Sequence, residues 1–543
     1  MKKYLFIALA ALGFAACAEK GEQNAPVQNG ELEKSYVAIT LATSDMGTRA
    51  EDELDKKFED GTVAESAVQS AHVFFFRDGE AFPVSFSNGS TVEDPQGKNH
   101  LSLTLTMNNE GGTENSVSDY SNEILVIEKY RGEYPNQVVA VLNWTPTEDN
   151  YDIEDLEDEL LNIQNDEKYF VMCNAVFADD ATPRKTIIAT PITEANIGTE
   201  NDLNNLEAVQ IYVERLAAKV VFTTVEGGKY DIKQTVVDRS GATPQDIKVY
   251  AKVEGYELFD AYYDSWLVKQ IDPNWSNTEL GFTWNDAPNY RCYWADSYTN
   301  RSSSSLAFPA SNSFEWNTNP NEAYCGENTN IAADDRTKVI VKARLVDEND
   351  NAVEVVNWLG KEYVGEDYLK IVVANTLKEK YFSSTDGKIF SSLEPEDLRC
   401  VTRDSNVDKA YYVDFQLSTD ANYGVNKKWY VKSANGEYTF ITYAEMNAQL
   451  MDVHPALVYN DGMTYYYTDI RHLANDTTKV GAYGVVRNHV YKVNITNIDG
   501  FGTPIYNGEQ DFVEVETPEE IYTYVSAQIN ILSWRIVDRN YDL

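Results

Sequence analysis

The chain has 543 residues, with 87 Asp and Glu against 45 Lys and Arg, so its formal net charge is −42. A chain of this length exceeds one hydrophobic core and predicts about two to four domains. Its acidic surface repels phosphates and anionic headgroups, which argues against nucleic-acid binding and against a basic membrane-binding patch. Aromatic residues make up 12% of the chain, a composition that favours ordered β-strands.

The first residues have the pattern of a secretory signal. Lys2 and Lys3 precede an apolar run, and two alanines lead into Cys17. The run is too short to span a membrane as a helix. We expect residues 1–17 to be a bacterial lipoprotein signal in which Cys17 becomes the lipidated first residue. An ordinary signal peptide cleaved after an alanine is the alternative, and both take the protein out of the cytoplasm.

A polar tether and a strand follow the signal. Residues 18–33 are rich in Asn, Gln, Gly and Pro and predict a flexible linker. Val37, Ile39 and Leu41 then alternate with more polar neighbours, as in a β-strand. Arg49 comes next, in a loop of small residues, where a trypsin-like protease could cut before Ala50. Most loop arginines, however, are simply solvated.

The long middle of the chain predicts many short strands and few helices, which indicates two β-sandwich domains. We place these domains at residues 50–227 and 228–509, divided at Gly227-Gly228. Apolar residues spaced by three and four predict two helices, and the first has acidic residues in its first turn. The predicted helices lie within Thr147–Gln164 (on Ile153, Leu156, Leu160 and Ile163) and within Gly365–Leu377.

Two further segments have an ambiguous or a specific pattern. The stretch LEAVQIYVERLAAKVVFTT, residues 206–224, does not resolve between helix and strand. Lys338–Val356 predicts a β-hairpin whose turn contains Asp347, Asn349 and Asn351. Alternating oxygen ligands suggest calcium, but the turn lacks the glycine and the glutamate of a calcium loop, so we interpret it as a turn.

The last residues alternate like a strand. One set of positions is apolar, and it comprises Val525, Ala527, Ile529 and Ile531. Leu532, Trp534 and Ile536 are on the opposite set of positions, which predicts a bulge or a twist between Ile531 and Leu532. A strand this apolar must cover a groove in its own sheet or in another molecule, because an exposed edge would aggregate. We assign residues 510–543 to a linker and this strand.

No motif of catalysis or cofactor binding is found. The chain has no nucleophile elbow, phosphate loop, dinucleotide fingerprint or zinc-protease motif. His472 and His489 could lie near each other, most simply as structural histidines. Cys292 and Cys325 bracket a polar loop, so a loop-closing disulfide or two buried thiols both fit. The absence of a Cys-x-x-Cys pair argues against a zinc site. The sequence therefore predicts no enzyme, cofactor or metal.

Several motifs together resemble the fimbrillins of the Bacteroidales over essentially the whole chain. They are the cysteine at the end of the signal, TRA at residues 48–50, VERLAAKV, YYYTDIRHL, YGVVRNHVYKV and VSAQINILSW. The two motifs YGVVRNHVYKV and VSAQINILSW are the most specific, since both are long and occur in the family's order. Within the family, the chain is most similar to the major shaft subunit of the short fimbriae.

The resemblance implies two transthyretin-like β-sandwich domains and assembly by strand exchange. A precursor lipoprotein at the outer membrane would be cut by an arginine-specific protease at Arg49, which removes the propeptide 18–49 and its strand. The strand Tyr522–Val537 of another copy would fill the groove. The implied partners are further copies of the chain, anchor and tip accessory subunits, and host or bacterial surface ligands, in a fimbria that supports adhesion and biofilm formation.

Two alternatives remain open at this point. The chain could be a monomeric surface lipoprotein that binds glycans through the aromatic loop between Trp275 and Trp316. It could also be the fimbrial anchor subunit, which in this family is not cut.

Overall fold

A computed structural model describes the following residues: 34–43, 62, 64–83, 85–86, 98–102, 123–128, 134–163, 170–178, 183, 185–198, 209–259, 261–273, 293–298, 322–402, 412–474, 476–506 and 524–532. They form a mainly β structure, as the sequence predicts. Two compact units are present. The first comprises the described residues up to Ala217 together with Tyr263–Tyr298, and the second comprises Ala218–Tyr262 and the described residues after Thr299.

The first unit is built around one large, mostly antiparallel sheet, whose main strand order is β3-β2-β7-β9-β14-β1-β6-β4. The strands of this unit are β1 (Lys34–Thr43), β2 (Ala71–Arg77), β3 (Glu80–Ala81), β4 (Ser85–Phe86), β5 (His100–Ser102), β6 (Glu123–Glu128), β7 (Gln137–Leu142), β8 (Leu160–Asn162), β9 (Met172–Asn174), β10 (Phe177–Ala178), β11 (Thr186–Ile187), β12 (Thr190–Pro191), β13 (Ile197–Gly198), β14 (Val209–Arg215) and β18 (Asp264–Trp266).

The sheet of the first unit is covered on both faces. Strand β2 has the sequence AHVFFFR, and its first six residues are all buried. Val73 and Phe75 belong to one apolar cluster, whereas Phe74 and Phe76 belong to another. Because successive side chains of a strand point to opposite faces, an unbroken apolar run indicates a strand that is buried on both sides.

The helix predicted between residues 147 and 164 is shorter in the structure. Helix α1 (Ile153–Asp158) begins with a capping box between Asp152 and Asp155. Leu160–Asn162 then forms strand β8, which pairs with β18. The helical prediction for Leu160 and Ile163 is therefore wrong, because a strand a hundred residues further along the chain competes for the backbone hydrogen bonds of this segment.

The second unit contains three sheets, with strand orders β19-β15-β31-β33, β25-β26-β29-β21-β22-β16-β17-β20-β30-β32 and β24-β23-β27-β28. Its strands are β15 (Ala218–Thr223), β16 (Lys229–Asp238), β17 (Gln245–Phe259), β19 (Ala323–Cys325), β20 (Lys338–Val346), β21 (Val355–Trp358), β22 (Lys361–Val364), β23 (Tyr381–Ser384), β24 (Ser391–Ser392), β25 (Leu398–Thr402), β26 (Tyr412–Leu417), β27 (Lys428–Lys432), β28 (Tyr438–Ile441), β29 (Ala456–Val458), β30 (Met463–Asp469), β31 (Val490–Asp499), β32 (Thr503–Pro504) and β33 (Tyr524–Leu532).

The first two of these sheets pack face to face. Phe222 of β15 stacks on Tyr256 of β17, with ring centroids 4.4 Å apart. The Tyr230 hydroxyl of β16 donates a hydrogen bond of 2.8 Å to the Ile495 carbonyl of β31. Two sheets joined through their inner faces in this way form a sandwich.

Two helices cover other parts of the second unit. Helix α2 (Glu366–Leu377) confirms the predicted helix and begins with two acidic residues, which the helix dipole favours. Helix α3 (Tyr443–Met451) begins with a capping box between Thr442 and Glu445 and buries Met446 and Leu450. No helix in the described parts of either unit has the length and apolarity needed to cross a membrane.

The hairpin predicted at Lys338–Val356 is only partly present. Asp347 shapes the turn, since its Oδ1 accepts the backbone N–H groups of Asn349 and Asn351. After one bridge between Val346 and Ala352, however, the chain leaves β20, and β21 pairs with β22 and β29 instead. A strand therefore begins at Val355 within the predicted range, but its predicted pairing with β20 is wrong.

The ambiguous stretch at 206–224 contains two strands, β14 and β15, with the division between the units falling between Ala217 and Ala218. Gly227 and Gly228 lie in a short turn of the second unit, and both have positive φ.

Candidate functional site

The strand near the front of the chain occupies an interior position in the first unit. Strand β1 lies between β14, which is parallel to it, and β6, which is antiparallel. A short additional pairing joins Tyr36 and Val37 to β13. Strand β6 pairs with the first part of β1, Lys34–Ile39, and β14 pairs with the last part, Ile39–Thr43, so the two overlap at Ile39. Removal of β1 would therefore leave unpaired backbone groups on both sides of a slot.

The register of β1 matches the core of the first unit. Val37 pairs with Ile197, Ile39 with Val209 and Leu41 with Ile211. These three partners all pack in the apolar cluster beneath the sheet, where Val209 and Ile211 are buried. The register therefore sets the three apolar positions predicted from the sequence opposite residues of this cluster.

The strand near the end of the chain occupies an edge position in the second unit. Strand β33 pairs antiparallel with β31 along its whole length, and it is the outermost strand of that sheet. Of the two possibilities raised by the sequence, the structure therefore has the tail covering a sheet of its own chain. An edge strand is bonded on one side only, so it can leave without opening the sheet.

The predicted bulge is found in the partner strand and not in the tail. Ile531 and Leu532 pair in step with Tyr491 and Val490, so of the two predicted alternatives the bulge is wrong and the twist stays a prediction. The register shifts instead at Thr496 of β31, between the pairs of Ile495 and Asn497. The extra residue in β31 puts Ile498 on the same face of the sheet as the buried residues Val493 and Ile495.

The bulge at Thr496 keeps the apolar positions of the two strands opposite each other. In the tail, the predicted apolar positions are each in register with a buried residue of β31. The four pairs are Val525 with Ile498, Ala527 with Ile495, Ile529 with Val493, and Ile531 with Tyr491. A slip by one residue would put all four on the polar face, so this register is strongly specified.

A buried polar cluster supports β31 from below. The Tyr491 hydroxyl accepts the backbone N–H of Val486 at 2.8 Å and lies 2.9 Å from Nδ1 of His472. The rings of His472 and His489 are 5.3 Å apart, so the structure brings together the two histidines that we expected to be neighbours. Burial raises the pKa of Tyr491 well above its usual value, which keeps this hydroxyl neutral.

A buried ion pair fixes the segment that leads into β31. Arg487 Nη2 lies 2.8 Å from Glu327 Oε2, and the two side chains are 0% and 2% exposed. Glu327 Oε1 also accepts the backbone N–H of Arg487 at 3.1 Å. In the sequence, YGVVRNHVYKV stands out only as a family motif. The pairing of Arg487 with a residue 160 positions away has no local signal in the sequence.

Several predicted site residues lie outside the described residues, and these are Cys17, Arg49, Ala50, Cys292, Trp534 and Ile536. Cys325 is a buried thiol on β19, and the structure does not test its pairing with Cys292. Trp275 and Trp316, which mark the two ends of the aromatic loop, also lie outside the described residues. Within that loop, Tyr293 and Trp294 are described and buried.

The described residues provide little for catalysis or metal binding. Among them, no group of three or more His, Cys, Asp or Glu side chains is arranged to hold a metal ion. A cleft of about 590 Å³ beside α1 is lined by carboxylates such as Glu148, Asp155 and Glu159. Another, Asp149, is paired with Lys98 at 2.6 Å. A run of acidic residues at a helix start is ordinary surface structure and has no assigned chemistry.

Residues 457–540 match the sequence model of the family described as "Major fimbrial subunit protein type IV, Fimbrillin, C-terminal". The matched range begins in β29 and includes the buried cluster, β31 and the tail strand β33. A comparison with curated protein sequences found no match.

Solved structures also resemble the chain, at low similarity. One is a protein from Bacteroides eggerthii that its description assigns to cell adhesion, with 10% identity and a TM-score of 0.33, covering 93% of this chain and 97% of that chain. Another is the tip fimbrial protein Mfa3 from Porphyromonas gingivalis with C-terminal truncation, with 10% identity and a TM-score of 0.29, covering 92% and 100%. Likenesses at these scores carry no weight for function.

The family match therefore supports a relation of residues 457–540 of this chain to the C-terminal part of the fimbrillins.

Proposed function

We propose that the chain is a shaft subunit of a surface fimbria that polymerises by strand exchange after cleavage at Arg49. Cleavage would release residues 18–49 and with them β1. The strand Tyr522–Val537 of a second copy would then enter the slot between β14 and β6. The observation that carries this proposal is the place of β1: the only described strand upstream of the predicted cut fills an interior position of a sheet.

The two strands have matching patterns. The positions Val37, Ile39 and Leu41 of β1 are in register with core residues of the first unit, and alternate positions of β33 are in register with buried residues of the second. A strand with this alternation suits either slot. Burying five or six apolar side chains of the tail gives on the order of 10 kcal/mol before the entropy of ordering is subtracted. Such a junction would dissociate slowly.

The tail must leave β31 before it can be donated. It has one partner strand in the structure, whereas the slot of β1 offers two. Exchange therefore replaces a one-sided ladder of hydrogen bonds with a two-sided one, and each additional bond contributes about 0.5–1.5 kcal/mol. At about 3.3 Å per residue, Tyr522–Val537 reaches roughly 50 Å, which is enough to cross a sheet of another copy.

Donation of this kind is head-to-tail. Each copy would give its tail and receive another, an arrangement that does not close on itself and builds a filament. Electrostatics does not drive the contact. Residues 1–49 contain five basic and five acidic side chains, so the cut chain keeps a net charge of −42. The apolar strand must therefore overcome repulsion between copies.

The proposal includes the route to the surface. The precursor would be an outer-membrane lipoprotein attached through Cys17 and cut by an arginine-specific protease. In the fimbria, the chain would contact further copies of itself and anchor and tip accessory subunits. Surface ligands of host or bacterial cells would then be bound in adhesion and biofilm formation.

The test is the variant Arg49→Ala, which we expect to stay monomeric and lipid-anchored because β1 is never released. Arg49→Lys is the matched control. It should resist an arginine-specific protease but assemble after limited cleavage at the substituted position by trypsin, which accepts lysine. Filaments are scored by electron microscopy, and the first residue of the chain within them is read by mass spectrometry. Filaments formed by Arg49→Ala would contradict the mechanism.

The uncut anchor subunit is the second candidate. The structure has β1 in its slot and the tail on its own sheet, an arrangement that fits both a chain that is never cut and a shaft precursor before cleavage. The same mass spectrometry separates the two roles: chains within the filament shaft that begin at Ala50 favour the shaft subunit, and chains at the filament base that retain residues 18–49 favour the anchor.

A further inference from the structure

The small sheet β24-β23-β27-β28 of the second unit has one buried face and one open face. Tyr381 and Trp429 belong to the apolar cluster of this unit, and Ile441 packs against it. The same cluster contains Met446 and Leu450 of α3. Since side chains alternate along a strand, the residues between these buried positions must lie on the opposite face. We call that face the outer face.

The outer face is aromatic. Tyr430 pairs with Phe440 and with Phe382 across the sheet, and Lys432 pairs with Tyr438. The rings of Phe390 and Tyr438 stack in parallel with centroids 3.9 Å apart. The remaining contacts are edge-on: Phe382 with Tyr438 at 5.0 Å, Phe390 with Tyr430 at 5.1 Å, and Tyr430 with Phe440 at 5.7 Å. Ring contacts of this kind fix each other's orientation and make a rigid platform.

Part of this platform is open to solvent. Phe440 is 54% exposed, and Ile389, next to Phe390, is 75% exposed. Large apolar side chains grouped at one exposed place mark a binding surface more often than isolated ones do.

Lysines accompany the rings. Every second residue of β27 faces the same way, and the outer face of this strand has Lys428, Tyr430 and Lys432 in order. A third lysine, Lys388, is in the loop that contains Phe390. Lys432 Nζ lies 5.5 Å from the ring centroid of Phe382, close enough for a cation–π contact. In the part of the chain that the structure describes, none of the three lysines has a carboxylate within ion-pair distance.

This local charge is opposite to that of the whole chain. Residues 378–392 and 427–441 together contain six lysines and three acidic residues, whereas the chain as a whole has 87 acidic and 45 basic residues. One of the six, Lys427, is paired with Asp397 at 2.6 Å and does not contribute to the charge of the face. One of the three acidic side chains, Asp386, is engaged in its own loop, because its Oδ1 accepts the backbone N–H groups of Lys388 and Ile389. At physiological ionic strength charges are screened over about 8 Å, so a ligand on this face is governed mainly by the nearby lysines.

We propose that the outer face binds an acidic oligosaccharide that carries carboxylates. The C–H groups of a sugar ring are weakly positive and pack on the negative face of an aromatic ring, here Phe440 and its neighbours. The sugar carboxylates would pair with Lys428 and Lys432, and the tyrosine hydroxyls of Tyr430 and Tyr438 are available for the sugar hydroxyls. This site is separate from the strands of the proposed assembly and does not depend on filament formation.

The composition of the face favours a sugar over a protein partner. Protein interfaces are enriched in arginine and depleted in lysine, and this face has lysines only. A long polyanion such as a nucleic acid would extend beyond the lysine patch and meet the acidic surface of the rest of the chain. A short oligosaccharide with isolated charges would stay within the lysine patch and would not meet that acidic surface.

The test uses the full-length uncut chain, Arg49→Ala, in isothermal titration with a hyaluronan hexasaccharide and with a sialic acid trimer. We expect at least one of them to bind, and we expect reduction of its carboxylates to alcohols to weaken binding about tenfold. Phe440→Ala should weaken binding about five- to tenfold, and Lys432→Gln about threefold. Leu359→Ala and Lys361→Gln, which change exposed residues elsewhere in the second unit, should bind like the parent chain.

Three results would overturn the inference: binding of neither acidic sugar, equal binding by the parent and Phe440→Ala, or competition by a single-stranded oligonucleotide at the same concentration as the sugar. If the second result is accompanied by self-association of the parent that Phe440→Ala abolishes in sedimentation, the outer face is an interface between copies and not a sugar site. Each variant is first compared with the parent by circular dichroism, so that a loss of binding is not confused with a loss of fold.

Discussion

Strands β1 and β33 have the same alternation of apolar and polar residues, yet they occupy different places. Strand β1 is an interior strand with partners on both edges, and β33 is an edge strand with one partner. The same pattern therefore gives a segment whose loss opens a sheet and a segment whose loss leaves the sheet closed. The difference shows which strand can act as a plug and which can be donated.

The partner strand of β33 is held in place by buried polar interactions. Strand β31 is held by the buried pair of Arg487 with Glu327 and by the hydrogen bonds of Tyr491. A rigid partner strand keeps the tail in one register while it is docked. The tail can then leave as a unit without loosening the sheet behind it.

The largest effect should come from breaking that support. Arg487→Met leaves Glu327 buried without its partner, and a broken buried pair costs about 3–5 kcal/mol. We expect the free energy of unfolding of the second unit to fall by that amount in urea titrations, with earlier release of the tail.

The matched control is Lys248→Met, which removes an exposed pair with Asp231. Exposed pairs contribute about 0–1 kcal/mol, so little change is expected. Equal losses in the two variants would mean that Arg487 does not hold β31 in place.

A proline scan compares the two strands directly. In β1, at Ala38, Ile39 and Thr40, every proline should destabilise the first unit by about 3 kcal/mol, because Ala38 pairs with β6, Thr40 pairs with β14 and Ile39 pairs with both. In β33, at Ser526, Ala527 and Gln528, prolines should be tolerated at alternate positions, since no described strand lies beside the N–H groups of the outer edge.

The scan is read by thermal unfolding of the uncut chain. If prolines were tolerated at alternate positions in β1 as well, β1 would be bonded on one side only, and its role as an interior plug would be untenable.

The two strands themselves could be predicted from the sequence, because they depend on local alternation, but the contrast between an interior and an edge position could not. The apolar positions of β1 and β33 are visible without a structure. Where each strand docks is not, because the partners of β1 at Ile211 and of β33 at Val493 are distant in sequence.

The misplaced bulge has a similar cause. Both β31 and β33 change the parity of their apolar residues, and the sequence cannot tell which strand takes the extra residue. The structure places it at Thr496, where the bulge preserves the buried pair of Ile498. The helical prediction for Leu160 fails for the same reason, since its strand partner β18 is far along the chain.

A smaller effect is expected on the stability of the first unit when the pH is lowered. Burial, aided by the nearby His100, lowers the pKa of His72 to about 4, from 6.5 in the unfolded chain. Between these values the unfolded chain binds a proton that the folded chain does not. Stability should therefore fall as the pH decreases from about 6.5 to 4, and this contribution should not change further below pH 4.

The variant His72→Gln should flatten this pH dependence in part, while His100, whose pKa burial also lowers, retains some of it. Urea titrations at about pH 7.5 and about pH 5, on either side of the ordinary histidine pKa, measure the difference. An identical pH dependence in the parent and in His72→Gln would show that His72 is not held neutral by the fold.

The most direct test of strand exchange counts the strands that a tail-less chain can accept. A chain that lacks residues 522–543 is titrated with a synthetic peptide of residues 522–537, before and after cleavage at Arg49 and removal of the released segment. The account predicts one bound peptide for the uncut chain, at the free edge of β31, and two for the cut chain, with the second in the slot between β14 and β6. If cleavage adds no second peptide, β1 is not a replaceable plug and the central claim fails.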